Sequence, residues 1–403
     1  MDMPLSQFRD MSVAEFDTTK LLSHATQQAE QRGYARFPII DVDSHHYEME
    51  AFDEIISYIE DPVLQQLALS AARTGVKSSG VIQGHVGYQD MGGRITRYSL
   101  RKMEKASGPQ HRDVTLTRRW MDAMGIDIAI LFPTPMLMLG LHPQVEVEVA
   151  LARAYNTWLM ERILPQEPRI RSMLYLPFNC PSATYDMVRE FADAPGVVGF
   201  MITAARYRPV HHNDYMKTYA FLEERGLPLA FHASYSWNDQ SMAMMNRFIS
   251  VHALGFPFYN MVHMTNWIIN GLPERFPKLK TIWIESGLAW LPFLMQRLDH
   301  EYLMRSSEAP ALKRLPSEYM QEMFFTSQPM ERPKDLSILE MTFRMIKAET
   351  QLMYSSDYPH WDFDLPSVIY DLPFLNEGAK RNILGGNAMR LFNIEPPALR
   401  KAG

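Results

Sequence analysis

The sequence predicts an α/β fold: a (β/α)8 TIM-like barrel with an N-terminal helical arm and an insertion after strand one. Three observations lead there. Eight short apolar runs recur along the 403 residues, and from residue 116 onward they alternate with amphipathic helical segments. The runs lack polar alternation, so both of their faces are buried, as in a parallel sheet covered by helices. No glycine-rich phosphate turn of the dinucleotide or P-loop kind is present, which disfavours a doubly wound open sheet.

Taken in order, residues 1–36 read as a polar, helix-prone arm that stops at Gly33. FPIIDVD (37–43) is strand one and opens a barrel spanning 37–395, with 396–403 as a tail. The insertion, 49–115, holds two helical pieces and a glycine-bearing middle. Helix TLTRRWMDAMG then leads into IDIAILFPT (126–134), and VEVEVALARAYNTWLMERI into IRSMLYLPF. CPSATYDMVREFADA leads into GVVGFMIT, and NDYMKTYAFLEERG into LPLAFHAS (227–234). YNMVHMTNWIINGLPERFP leads into LKTIWIESG (279–287), and LAWLPFLMQRLDHEYL precedes a shorter strand, MFFTS (323–327). PKDLSILEMTFRMIKAE leads into QLMYSSDYPH (351–360), and GNAMRLFNI closes the chain.

Composition narrows the function. A hydrophobic fraction of 46% and a charged fraction of 21% are those of a soluble globular protein. The net charge is −6 and no basic block exists, which argues against a nucleic-acid partner. The single cysteine, Cys180, excludes an internal disulfide and a cysteine-based zinc site. The N-terminus lacks the basic start and apolar core of a signal peptide, and no run approaches a membrane span. These features point to a cytoplasmic protein without membrane contact.

The chemistry sits at one end of the predicted barrel. Asp43 and His45 end strand one, His232 ends strand five, Glu285 ends strand six and Asp357 follows strand eight. C-terminal strand ends converge on one mouth, where barrel active sites are built. Asp43 and His45 are two residues apart, so both point to the same face of the strand. Asp41 shares that parity but lies deeper, in a supporting position, whereas His46 faces away. Each residue alone has a bland reading as a hydrogen-bonded or turn residue. Their joint placement at strands one, five, six and eight is what argues for a metal centre.

With those residues located, the chain resembles the amidohydrolase superfamily, in the branch that includes the carboxymuconate-semialdehyde and dihydroxybenzoate decarboxylases. The resemblance covers about residues 38–395. It rests on DVDSHHYE, FHAS, GLPERFPKLKTIWIESGLAWLPFLMQRLD, YSSDYPHWD and NILGGNAMRLF. It implies metal ligation by Asp43 (in place of a first histidine), His45, His232 and Asp357, with Asp357 also handling a proton. The departure is at strand six: related decarboxylases carry a catalytic histidine there, and this chain has Glu285. His263, in the preceding helix, is a second catalytic candidate.

Charge sets the cofactor expectation. Asp43, Glu48, Glu285 and Asp357 would bring four negative charges to one mouth, which demands protons or cations. One divalent ion, zinc, manganese or iron, is expected, with Glu48 and Glu285 as further ligands and two ions as the alternative. The departure at Glu285 favours hydrolysis by metal-activated water. The alternatives are nonoxidative decarboxylation of an aromatic or unsaturated acid, a dinuclear nonhaem iron or iron/manganese oxygenase, and a noncatalytic paralogue.

Arg206, Trp237, His360 and Trp361 are the expected substrate-binding residues, with Pro133, Thr134 and Met136 on the wall and His85, Tyr88 and Arg94 in a lid. A small organic substrate follows. The arm 1–36 and the stretch RSSEAPALKRLPSEYMQE look suited to wrapping a neighbour, so a homo-oligomer, or a hetero-oligomer with a paralogue, is expected.

Overall fold

The computed structural model describes residues 18–73, 106–204, 207–234, 240–360 and 362–397. Eight strands run β1 (Ile40–His45), β2 (Ile128–Phe132), β3 (Ile170–Tyr175), β4 (Val197–Thr203), β5 (Leu229–His232), β6 (Thr281–Ile284), β7 (Phe324–Thr326) and β8 (Leu352–Met353). Each pairs in parallel with its sequence neighbour, in the order β1 to β8. The ring closes on itself: Val42 N donates to Tyr354 O at 3.0 Å, and Asp357 N donates to Asp43 O at 2.7 Å. The expected (β/α)8 barrel is the fold.

Six of the strands, β1, β2 and β5 to β8, are buried along their whole length, which is why their sequences show no polar alternation. Two strands stop earlier than their apolar runs suggest. β6 ends at Ile284 because Glu285 takes φ 56°, and the chain of β8 leaves the sheet well before Asp357, which takes φ 58°. Left-handed backbone cannot continue a pleat. The helix before β6 begins earlier than expected, running from Phe248 to Ile269 with Pro257 inside it.

The described part of the arm packs on its own barrel. Its helix, Thr18–Arg32, buries Ala25 and Gln28 and packs on the barrel helix Arg112–Met124. Arg32 clamps Asp371 with two hydrogen bonds of 2.9 and 2.6 Å. The late stretch 305–322 likewise buries Ala309, Leu312 and Tyr319 within the same chain. Among the described residues, no helix is long and apolar enough to cross a membrane.

The closing helical segment, Asn382–Phe392, locks the seam between the last strand and the first. Tyr354 N donates to Ile383 O at 2.9 Å, and Asn387 Nδ2 donates to Leu352 O at 2.6 Å. Gly385 allows this approach, because a Cβ there would overlap the backbone carbonyl of Pro38 just before β1. Gly385→Ala is therefore expected to destabilise the fold by about 1–3 kcal/mol, as overpacking against an immobile group does. Urea unfolding checks this, and an unchanged midpoint would refute the close approach.

Candidate metal centre

β1 brings Asp43 and His45 to the mouth. The ladder to β2 slips between Asp41 and Ser44, yet His45 Nε2 still lies 3.2 Å from Asp43 Oδ1. Beneath them Asp41 supports the floor, as its parity suggested. It accepts hydrogen bonds from Ser356 Oγ at 2.5 Å, Ser356 N at 2.8 Å and Asp43 N at 3.2 Å, which tie β1 to the loop that carries Asp357. Burial pushes its carboxyl up to about 8, against the pull of the Ser356 hydrogen bonds.

Two backbone carbonyls fix the histidines. His45 Nδ1 lies 2.8 Å from Pro133 O, and His232 Nδ1 lies 2.8 Å from Ala233 O. A carbonyl only accepts, so each Nδ1 carries the proton and each Nε2 is left with a lone pair. Those lone pairs face carboxylates: His45 Nε2 is 3.2 Å from both Asp43 Oδ1 and Asp357 Oδ1, and His232 Nε2 is 3.2 Å from Asp43 Oδ1. Lone pair against anion is tolerable only with a proton or a cation between them. Burial opposes a charged His45 ring, but Asp357 and Asp43 overcome it and push the group up to about 10. Burial also opposes ionisation of Asp43, and His232 and His45 overcome that, holding the carboxyl below the usual range.

Glu285 and Asp357 complete the rim, and their left-handed backbone turns them off their strands. Glu285 N donates to Thr326 Oγ1 at 3.1 Å. Its carboxylate lies between His232 Nδ1 and His360 Nδ1, 3.6 Å from each. Burial, with the charges of Asp357 and Asp43, pushes its pKa well up. Burial raises Asp357 to about 6, against the pull of His45. His360 stacks on His45 with ring centroids 4.1 Å apart, and its Nδ1 sits 2.7 Å from Asp357 Oδ1. Its Nε2 lies 3.2 Å from Thr134 Oγ1.

The buried atoms Asp43 Oδ2, Glu285 Oε2 and Asp357 Oδ2 have no hydrogen-bond partner. Two sets of donor atoms lie within 4.8 Å of one another: Asp43, His45, His232 and Glu285, and His45, Glu285, Asp357 and His360. Oxygen and imidazole donors of this kind suit a divalent ion such as manganese, iron or zinc. A histidine that gives its second N–H to a carbonyl is the usual posture of a metal ligand. The residues present therefore fit a resident divalent ion.

Other expected site residues stand elsewhere. Glu48 is buried, but its oxygens accept Thr134 N at 2.9 Å and Met136 N at 2.6 Å, so it braces the loop after β2 rather than joining either donor set. His263 Nε2 donates to Ala204 O, and its ring packs near Phe231, which alternates with the inward His232. It thus lies behind the barrel wall, outside both donor sets. His46 faces away as expected, bonded to Asp113 and Tyr155 at 2.9 Å each. Arg206, Trp237 and Trp361, with His85, Tyr88 and Arg94, lie outside the described residues. His360, read from sequence as a substrate contact, falls among the donor atoms. Its place three residues after Asp357 was the available signal. Nothing in the sequence marked Thr326, whose hydroxyl holds the Glu285 amide.

A parallel (β/α)8 barrel that gathers buried polar side chains at its C-terminal mouth has the build of the barrel enzymes as a class. Within it, this chain belongs to the amidohydrolase family, whose model matches residues 112–394. It is similar to the gamma-resorcylate decarboxylase of Rhizobium sp. (strain MTP-10005), 23% identical over 301 residues, covering 71% of this chain and 90% of that protein. It is also similar to the 2-amino-3-carboxymuconate-6-semialdehyde decarboxylase of Dictyostelium discoideum, 21% identical over 275 residues and covering 67% and 74% of the two chains. A solved structure of 5-carboxyvanillate decarboxylase from Novosphingobium aromaticivorans, holding manganese and 4-hydroxy-3-methoxy-5-nitrobenzoic acid, superposes with a TM-score of 0.67. It is 20% identical, covering 90% of this chain and 97% of that one.

The geometry separates ligand from brace. His232→Ala is expected to weaken manganese binding more than about 100-fold, beyond the range seen for supporting residues. Glu48→Ala is expected to keep manganese yet lose about 2–4 kcal/mol of stability, since two backbone N–H groups lose their acceptor. Elemental analysis and thermal unfolding of both variants test this, and loss of metal in Glu48→Ala would place Glu48 among the ligands.

Proposed function

We propose that the chain is a metal-dependent nonoxidative decarboxylase of a small aromatic or unsaturated carboxylic acid with an oxygen substituent beside the carboxylate. The curated relatives it matches along most of their length are decarboxylases. That shifts the reading from the hydrolysis favoured by Glu285 alone. The observation that carries it is the facing of the His45 and His232 lone pairs onto Asp43 and Asp357, a set that one cation would satisfy.

Asp43, His45, His232 and Asp357 would hold the ion. When bound, it supplies positive charge that holds the substrate oxygens and draws electron density from the ring. The net change is loss of carbon dioxide and gain of one proton at the same carbon, so the site must deliver a proton. Asp357 suits that task, because its buried carboxyl lies at the mouth within hydrogen-bond reach of His360. His360, 2.7 Å away, positions the carboxyl and is itself held by Thr134. Pro133 and Ala233 keep the two histidines in the ligating tautomer. Phe132, 5.1 Å from His232 between ring centroids, adds an apolar wall that suits a flat substrate.

A second reading, a dinuclear centre, is favoured by one observation: Glu285 and His360 extend the donor atoms into a second, overlapping set. A manganese content near two per chain would support it, and a content near one would not.

Carbon dioxide release from a panel of hydroxybenzoates tests the main reading. Activity is expected with manganese, to fall to background after chelation, and to return on adding the metal back. Asp357→Asn is expected to lower kcat by about 100-fold or more. Release of carbon dioxide that survives full metal removal, or turnover of lactones and amides in its place, would overturn the reading.

A further inference from the structure

A buried polar trio stands directly behind the metal centre. His46, the residue after His45, turns away from the barrel mouth, and its ring is held on two sides. Nδ1 lies 2.9 Å from Asp113 Oδ2, and Nε2 lies 2.9 Å from Tyr155 OH. The three residues come from three elements: the chain just past β1, the first turn of the helix Arg112–Met124, and the helix Val145–Trp158. Burial, with the charges of Glu48 and Asp113, pushes the Tyr155 phenol well up, so its hydroxyl keeps its proton and donates to Nε2. Nδ1 then donates to Asp113. Trp158 closes a third side, its ring within 6° of parallel to the imidazole and the centroids 5.7 Å apart. Trp158 is fixed in turn: its Nε1 donates to Glu54 Oε2 at 3.1 Å, and His111 packs edge-on against it.

Stability does not call for this trio. Apolar side chains of similar size would fill the same space with no polar group to desolvate. Hydrogen bonds add direction, and direction matters at this point of the chain. The pairing of β1 with β2 ends at His45 and Phe132. There His45 N donates to Tyr358 O at 2.8 Å and His46 N to Phe132 O at 3.1 Å. The His46 ring is the next anchor. It lies one peptide from the imidazole whose Nε2 is 3.2 Å from both Asp43 Oδ1 and Asp357 Oδ1. A binding constellation has to be held within about 0.5 Å of its productive geometry by the residues around it.

We infer that His46 is a positioning residue for the metal centre, clamped by Asp113 and Tyr155 so that His45 keeps its aim at the ion. The inference rests on the reading of His45 as a metal ligand and holds whichever reaction the ion serves. His46, Asp113 and Tyr155 belong to neither donor set, so they act through the backbone they share with His45 or brace against it.

Manganese titration calorimetry on the whole chain tests this. The paramagnetic resonance spectrum of the bound ion, which reports ligand geometry, is a second readout, and the thermal midpoint of the metal-free protein a third. Tyr155→Phe removes only a hydroxyl, and Asp113→Leu removes the acceptor. Both are expected to weaken manganese binding about tenfold or more, as loss of a ligand's supporting partner does, and to alter the spectrum. Asp113→Asn keeps an acceptor for Nδ1 and is expected to restore most of the affinity. Tyr219→Phe is the control: it removes an equally buried hydroxyl, bonded to Val210 O at 2.7 Å, and is expected to leave affinity and spectrum as they are. Tyr155→Phe decides the question where Asp113→Leu fails to fold. Unchanged affinity and spectrum in Tyr155→Phe, or equal weakening in Tyr219→Phe, would leave the trio a packing role only and overturn the inference. A wild-type chain that takes up no manganese fails the metal-site reading itself, and the inference falls with it.

Discussion

An imidazole that commits its Nδ1 proton to a backbone carbonyl has only a lone pair left to offer. His45 and His232 are both in that state, and both lone pairs look onto carboxylates inside a water-excluded barrel mouth. This pairing governs the rest of the site. It cannot stand without positive charge, because like-signed groups in a low-dielectric interior repel strongly. A divalent cation satisfies both histidines and the carboxylates together, whereas protons must be shared unequally among them. The pull on protons is uneven: burial and neighbouring carboxylates make His45 and Glu285 hold them more tightly than usual, and the two histidines make Asp43 give its proton up more readily.

Holding such a site together takes strain and bracing. Glu285 and Asp357 adopt left-handed backbone, which costs an ordinary residue on the order of 1–3 kcal/mol and persists only where the surroundings enforce it. The surroundings do so here. Thr326 takes the Glu285 amide, and Asp41 takes both the amide and the hydroxyl of Ser356 just before Asp357. Past Glu285, Glu331 accepts Leu288 N at 2.8 Å and Ala289 N at 3.3 Å, and its carboxylate fills the space a Cβ on Gly287 would need. Glu48 performs the same service for the loop after β2. The buried carboxylates of Asp41 and Glu48 and the exposed one of Glu331 therefore brace the mouth. They lie one layer behind the two donor sets and set where those side chains point.

That layering explains what the sequence could and could not reveal. The barrel was legible because apolar runs and helical periods repeat eight times. Asp43, His45, His232, Glu285 and Asp357 were legible because strand ends converge, so position along the chain predicts position in space. Strand parity also separated Asp43 and His45 from His46. Glu48 and His263 were not separable from ligands in this way. One follows the strand and the other lies on a helix, where neither register nor parity fixes direction. Their partners, the Thr134 and Met136 amides and the Ala204 carbonyl, are backbone groups that side-chain identity does not encode. The left-handed turns at Glu285 and Asp357 were hidden for a related reason: glycine or asparagine would have announced them, and carboxylates do not. The choice of reaction lay furthest from view, because one barrel mouth serves hydrolysis and decarboxylation alike.

The most direct test of the account is anomalous diffraction at the manganese edge from crystals grown with that ion. The strongest peak is expected in coordination contact with the Nε2 atoms of His45 and His232 and with the carboxylates of Asp43 and Asp357. The Nδ1 atoms would remain on the Pro133 and Ala233 carbonyls. A mouth without a peak, or a peak held by Glu48 with His45 and His232 turned away, would contradict it.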